Sequence, residues 1–165
     1  MKNENPPPNS LPVDAPERRR LPILMRRAWY SLNQAFRRRI AHTGVTPDQF
    51  TALRTLLENE VDGLIQSELS RAMTSDPNTI ASLVERMEKA GFIERKRDET
   101  DRRAYRIRLK PFGKRKYEEV REIAVILQTE ILSVLPEKTR ETFLEELALV
   151  SAACRDAAEN FAKKK

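Results

Sequence analysis

The chain has 165 residues, of which 39% are hydrophobic and 34% charged, enough apolar content for one domain with a proper core and many solvated helical faces. A single cysteine, Cys154, cannot close an intrachain disulfide, and no run of about eighteen apolar residues exists to span a membrane, so a reducing, cytoplasmic setting is expected. One histidine and one cysteine far apart supply neither a multi-ligand metal site nor a nucleophilic triad, and four dispersed glycines form no phosphate-cradling loop. The sequence therefore reads as that of a non-enzyme without metal or cofactor.

The formal charge is +6, and its placement matters more than its size. Residues 95–116 hold eleven cations against Asp98, Glu99 and Asp101, a local excess of +8 that leaves the rest of the chain slightly acidic. So localised a field marks a polyanion-binding surface, although a solvated hairpin has the same composition.

Residues 1–16 carry five of the ten prolines and little apolar content, which predicts a flexible tail ahead of one domain at 17–165. A first helix is expected over 22–42, where Leu24, Ala28, Leu32, Ala35 or Phe36, and Ile40 recur at helical spacing. A second begins at Thr46, which with Gln49 makes a capping box around Pro47, and turns Phe50, Leu53, Leu56 and Leu57 inward. A short third helix spans 66–73, with Leu69 and Ala72 inward. After Thr74 and Ser75, Asp76 can cap a fourth helix over 77–90, whose inner stripe is Ile80, Leu83, Val84 and Met87. Asn78, Ser82, Glu85, Arg86 and Lys89 lie opposite, with Thr79 at the margin.

The period then changes from 3.6 to 2. Strands are predicted over 92–97 and 104–110, joined by the polar loop 98–103. In the second, Tyr105, Ile107 and Leu109 form a packing face and Arg106, Arg108 and Lys110 a cationic one. Two long helices follow: one over 111–135, and one after Pro136 with a seam of Phe143, Leu147, Val150, Cys154, Ala157 and Phe161 suited to helix-on-helix packing.

Two helices joined by a short turn, with a charged hairpin behind them, make a winged helix-turn-helix; the fold class is mainly α with a small β-hairpin wing. Small polar groups in the first turns of the second helix let it approach the floor of the major groove of double-stranded DNA. Asn78, Thr79 and Ser82 suit that role, Arg86 one turn on can reach a base or phosphate, and Arg97, Arg102 and Arg103 on the hairpin can reach phosphates or the minor groove. Each part alone also fits a solvated surface; their order gives them weight.

The stretches TPDQFTALRTL, SELSRAMTSDPNTIASLVERMEKAGFIERK and DETDRRAYRIRLKPFGKR resemble the MarR-type (multiple antibiotic resistance regulator) winged-helix proteins over residues 44–120. The family's wing pattern, Asp-x-Arg, five residues, Leu-Thr, is kept in spacing as Asp101, Arg102, Arg103, then Leu109 and Lys110. Lys110 replaces the threonine expected to cap the following helix. The resemblance implies that Arg103 enters the minor groove, held by Asp101, and that 46–110 is the DNA-binding lobe. It also implies that 22–42 and 111–162 are dimerisation helices, that the homodimer binds a pseudo-palindromic operator as a regulator, most often a repressor, and that a small aromatic effector releases it. Trp29, Tyr30 and Phe36 are candidate walls of an effector pocket, or simply packing residues. Cys154 on the apolar seam and His42 near a helix end read as structural. The competing assignment is a protein-interaction module whose basic hairpin grips an acidic partner.

Overall fold

In a computed structural model the described residues are 20–98 and 104–162, with nothing said of the side chains of 159, 161 and 162. They form, in order, α1 (Arg20–Ile40), a 3₁₀ turn (Ala41–Thr43), α2 (Pro47–Glu58), β1 (Leu64–Ile65), α3 (Gln66–Ala72), α4 (Pro77–Lys89), β2 (Ile93–Arg97), β3 (Tyr105–Leu109), α5 (Pro111–Leu132) and α6 (Glu137–Ala162). The architecture is mainly helical with a small antiparallel sheet, a winged helix. The expected tail at 1–16 and the loop residues 99–103, with Asp101, Arg102 and Arg103, lie outside the described residues.

The chain divides into two compact units, the first ending at Ile123 and the second starting at Ala124, within α5. In the first unit a single apolar core joins Ile40 and Val45 to Leu53 and Leu56 of α2, Leu69 of α3, all four inner residues of α4, Ile93, Ile107 and Val120. The sheet order is β1-β3-β2, with Arg97 opposite Tyr105 and Ile93 opposite Leu109, and Leu64 opposite Ile107 on the other side. β1 is only two residues long, too short for a period to declare it in the sequence. Aromatic contacts run from Phe36 edge-on to Phe50 at 5.3 Å and from Phe50 stacked on Tyr117 at 5.4 Å, tying α1 and α5 to α2.

Local chemistry explains the boundaries. The Thr46 hydroxyl accepts the Gln49 N–H while the Gln49 side chain accepts the Thr46 N–H at 2.9 Å, completing the capping box of α2. Gly44 and Gly91 sit at φ 74° and 76°, as helix-ending glycines do. α5 starts against the sheet: the Lys110 N–H donates to the Phe92 carbonyl at 2.9 Å, and a Cβ on Gly113 would lie 2.1 Å from that same oxygen.

Several inward assignments shift. Ala72 is exposed, because α3 is only seven residues and buries Leu69 and Ser70 instead. The helical stripe of α1 is exposed from Arg20 to Leu32, and only Ile40 is buried. In the second unit Leu127 is buried and Leu144, Leu147 and Val150 are half-buried, while Ile131, Val134, Phe143, Leu149 and Cys154 are exposed. No helix among the described residues is long and apolar enough to cross a membrane.

Candidate nucleic-acid interface

The site is built on α4, and both ends of that helix are tied down. At its start the Asp76 carboxylate accepts the backbone N–H groups of Asn78 at 3.0 Å and Thr79 at 2.9 Å, with Pro77 in the first turn, where no N–H is needed. The Thr79 hydroxyl donates to the other oxygen of Asp76. These bonds hold the carboxyl below its ordinary value, the Thr79 hydroxyl first among them. At its end the Phe92 N–H reaches the Met87 carbonyl at 3.0 Å and the Gly91 N–H reaches Glu88 at 2.9 Å, a Schellman closure with glycine in the left-handed position.

The turn before α4 uses the same closure without glycine. The Ser75 N–H donates to the Ser70 carbonyl at 3.0 Å and the Thr74 N–H to Arg71 at 3.1 Å, and Thr74 stands at φ 50°. The Ser70 hydroxyl adds a bond to the Ser75 carbonyl. α3 and α4 are thus held in a helix-turn-helix. Ile80, Leu83, Val84 and Met87 are at most 1% exposed, so the opposite face must look outward.

That outward face carries Asn78, Thr79, Ser82 and Arg86, all exposed. The Arg86 Nε donates to the Ser82 carbonyl at 3.2 Å, which lays the guanidinium along the helix and leaves its terminal nitrogens clear of that bond. Farther on, Lys89 pairs with Glu85 at 2.6 Å, and the Arg95 Nε donates to Glu88 at 2.9 Å. The Arg95 partner holds the Glu88 carboxyl below its usual value, and Lys89 does the same for Glu85. The Glu88–Arg95 pair braces β2 against α4.

Cross-strand partners share a sheet face, so Arg95 and Arg97 lie with Tyr105 and Ile107, and Glu94 and Lys96 with Arg106 and Arg108. Arg97 and Tyr105, both exposed, extend the packing face outward beyond the core. Of the face expected to be cationic, Lys110 is exposed, whereas both arginines reach back to the segment before β1. Arg106 pairs with the buried Asp98 and donates to the Gly63 carbonyl at 3.2 Å; Arg108 donates to the Asp62 carbonyl at 3.4 Å; Lys114 pairs with Glu60. These contacts hold the segment 60–63 against β3 and the start of α5, with the cations still partly exposed. Alternation marks which side chains share a face, but not that a two-residue strand lies alongside.

Of the candidate site residues, the structure gathers Asn78, Thr79, Ser82 and Arg86 on one helix face and puts Arg97 at the exposed end of β2. Trp29 and Tyr30 are exposed on α1, at 65% and 61%, whereas Phe36 is half-buried against Phe50. His42 is exposed in the 3₁₀ turn. Glu88, Asp98 and Arg106 were not singled out as wing-positioning residues; a carboxylate seven residues before a run of strand cations, and one ending that strand, were the available signals.

Residues 45–105 match the family model described as MarR family. This segment matches the MarR family and folds as a winged helix. The chain is 40% identical over 76 residues to an uncharacterized HTH-type transcriptional regulator, YsmB, of Bacillus subtilis (strain 168), covering 46% of this chain and 51% of that protein. It spans about half the length of the curated relatives it matches. Among solved structures, a MarR transcriptional regulator from Methanosarcina mazei Go1 superposes with a TM-score of 0.75 at 23% identity, covering 83% of this chain and 97% of that one. The transcriptional repressor CouR of Rhodococcus jostii RHA1, bound to a 23-mer DNA duplex, gives 0.73 at 23% identity over 79% of this chain and 92% of its own. At these identities the structures show a shared fold. CouR has also been solved with p-coumaroyl-CoA.

Proposed function

We propose that this MarR-family protein is a sequence-specific, DNA-binding transcription regulator, a repressor that binds a pseudo-palindromic operator as a homodimer and is released by a small aromatic effector. The observation that carries the reading is the outward face of α4: four exposed polar or cationic side chains on a helix fixed at both ends, beside a braced hairpin. Base edges in the major groove are read by such a helix, and flanking phosphates by the wing. Arg97, Arg102 and Arg103 are the wing contacts in this reading, with Asp101 positioning Arg103.

Dimerisation is supported by the exposed apolar side chains of α1, among them Leu21, Leu24, Trp29 and Tyr30, each more than half exposed. An isolated chain gains nothing from such a surface, and a second copy would bury it. Trp29, Tyr30 and Phe36 remain the candidate effector contacts. The cytoplasm is the compartment this function requires.

Selection of bound fragments from random and genomic duplexes tests the proposal. The expected product is an imperfect palindrome with half-sites about one helical turn, roughly 10 base pairs, apart. Its affinity should fall steeply with salt, and Arg103→Ala should weaken binding without lowering thermal stability. No preference for any duplex in dilute buffer, or an operator bound equally well by Arg103→Ala, would overturn respectively the function and the wing assignment.

A further inference from the structure

We infer that the recognition helix reads an adenine with the Asn78 carboxamide and a thymine with the γ-methyl of Thr79, whose hydroxyl proton is committed to Asp76 and so is not offered to a base. The inference rests on the proposed DNA binding and adds the chemistry of the half-site.

The two residues enter the helix differently. Asp76 accepts both of their backbone N–H groups, so the cap fixes where each Cα stands. Thr79 then spends its only donor on the second carboxylate oxygen of Asp76. A hydrogen bond to an ionised acceptor is roughly twice as strong as one between neutral groups, so a base edge competes poorly for that proton. With its donor committed, Thr79 presents from its exposed position a methyl group and an acceptor oxygen, and the only methyl on the floor of the major groove is the 5-methyl of thymine. Asn78 is exposed, and its carboxamide makes no hydrogen bond among the described residues. An amide offers one donor and one acceptor side by side, which match the N6 and N7 of adenine in a bidentate pair. Ser82 and Arg86 lie one and two turns on, with Arg86 bonded through Nε to its own helix, so the A·T discrimination belongs to the first turn.

The test replaces thymines of the selected operator, one at a time, by deoxyuridine, which differs only in lacking the methyl. For wild type one such replacement should weaken binding about fourfold per half-site, the worth of one buried methyl. Thr79→Ser keeps the hydroxyl and drops the methyl; it should bind more weakly and no longer distinguish thymine from deoxyuridine. Thr79→Val keeps a methyl and drops the hydroxyl, while Asp76 still caps two backbone groups; it should keep the discrimination. Asn78→Ala should lose a preference for adenine at one position of each half-site, by roughly 5- to 150-fold. Circular dichroism of each variant separates misfolding from lost recognition. The inference is overturned if wild type ignores every deoxyuridine, if Thr79→Ser retains the discrimination and Thr79→Val loses it, or if Asn78→Ala selects an unchanged site. A wild-type protein that selects no duplex at all fails the proposed function instead, a separate result.

Discussion

The turn of the helix-turn-helix carries strain that one substitution should remove. α3 and α4 both end in Schellman closures with matching hydrogen bonds, yet the left-handed position is Gly91 after α4 and Thr74 after α3. For an L-residue this conformation costs roughly 1–2 kcal/mol, and a β-branched side chain is the least suited to it. Thr74 is exposed and its hydroxyl makes no hydrogen bond among the described residues, so truncation removes little. Against the relief stands the added freedom of glycine in the unfolded chain, about 0.4–1 kcal/mol. Thr74→Gly should therefore stabilise the protein by about 1 kcal/mol, seen as a rise of roughly 2–4 °C in Tm. Gly91→Ala is the converse: a Cβ there meets nothing within 4 Å, so its net cost of about 1 kcal/mol, the strain less the same unfolded-chain contribution, is purely conformational. Urea unfolding at fixed protein concentration, with unchanged slope, measures both. If Thr74→Gly proved neutral or destabilising while Gly91→Ala cost nothing, backbone strain would not be the force at these two turns.

Two further outcomes follow from the same contacts. Gly113→Ala would force a Cβ to within 2.1 Å of the Phe92 carbonyl oxygen, with backbone on both sides, and should cost about 3 kcal/mol in urea unfolding; a loss below about 1 kcal/mol would mean that α5 can move off the sheet freely. Because its folded pKa is depressed, chiefly by the Thr79 hydroxyl, ionised Asp76 contributes stability that is fully present above the ordinary carboxylate pKa and lost as pH falls through the lower folded value. A thermal-melt series downward from neutral pH should show that acid loss in wild type and a shallower one in Asp76→Asn; parallel curves would remove Asp76 from the linkage.

What could be read in advance was what depends on near neighbours. Thr46 with Gln49, Asp76 with Pro77, and the stripe Ile80, Leu83, Val84, Met87 are local grammar, and α2 and α4 form where that grammar puts them. The helix face bearing Asn78, Thr79, Ser82 and Arg86 follows from the same stripe, since burying one side exposes the other. The unread parts depend on distant partners. β1 exists because Leu64 and Ile65 lie beside Ile107 and Arg106, some forty residues away in sequence, and nothing at 64–65 marks it. Nothing in the sequence around Gly113 tells that the Phe92 carbonyl leaves no room for a side chain there. Thr74 defied the rule that glycine or asparagine takes a left-handed position, so the turn could be located but its strain could not.

The charge of the hairpin shows how far composition can carry an argument. Eleven cations between 95 and 116 suggest a finger whose whole surface attracts phosphate. Five of them, Arg95, Lys96, Arg106, Lys114 and Lys116, instead meet carboxylates of Glu88, Glu94, Asp98, Glu60 and Glu119. The exposed pairs among these add little stability, about 0–1 kcal/mol each, so their value lies elsewhere. Glu88 with Arg95 joins α4 to β2, and buried Asp98 with Arg106 joins β2 to β3 and, through the Gly63 carbonyl, to the segment before β1. A reader of DNA must offer its helix and its wing in one fixed relation, because a misplacement of about 1 Å forfeits a hydrogen bond. In the proposed function the paired cations supply that relation, and Arg97, which makes no ion pair among the described residues, stands exposed at the end of β2 as a proposed DNA contact. Arginine is suited to both tasks, since one planar fork fits a carboxylate inside the protein as well as a phosphate outside it.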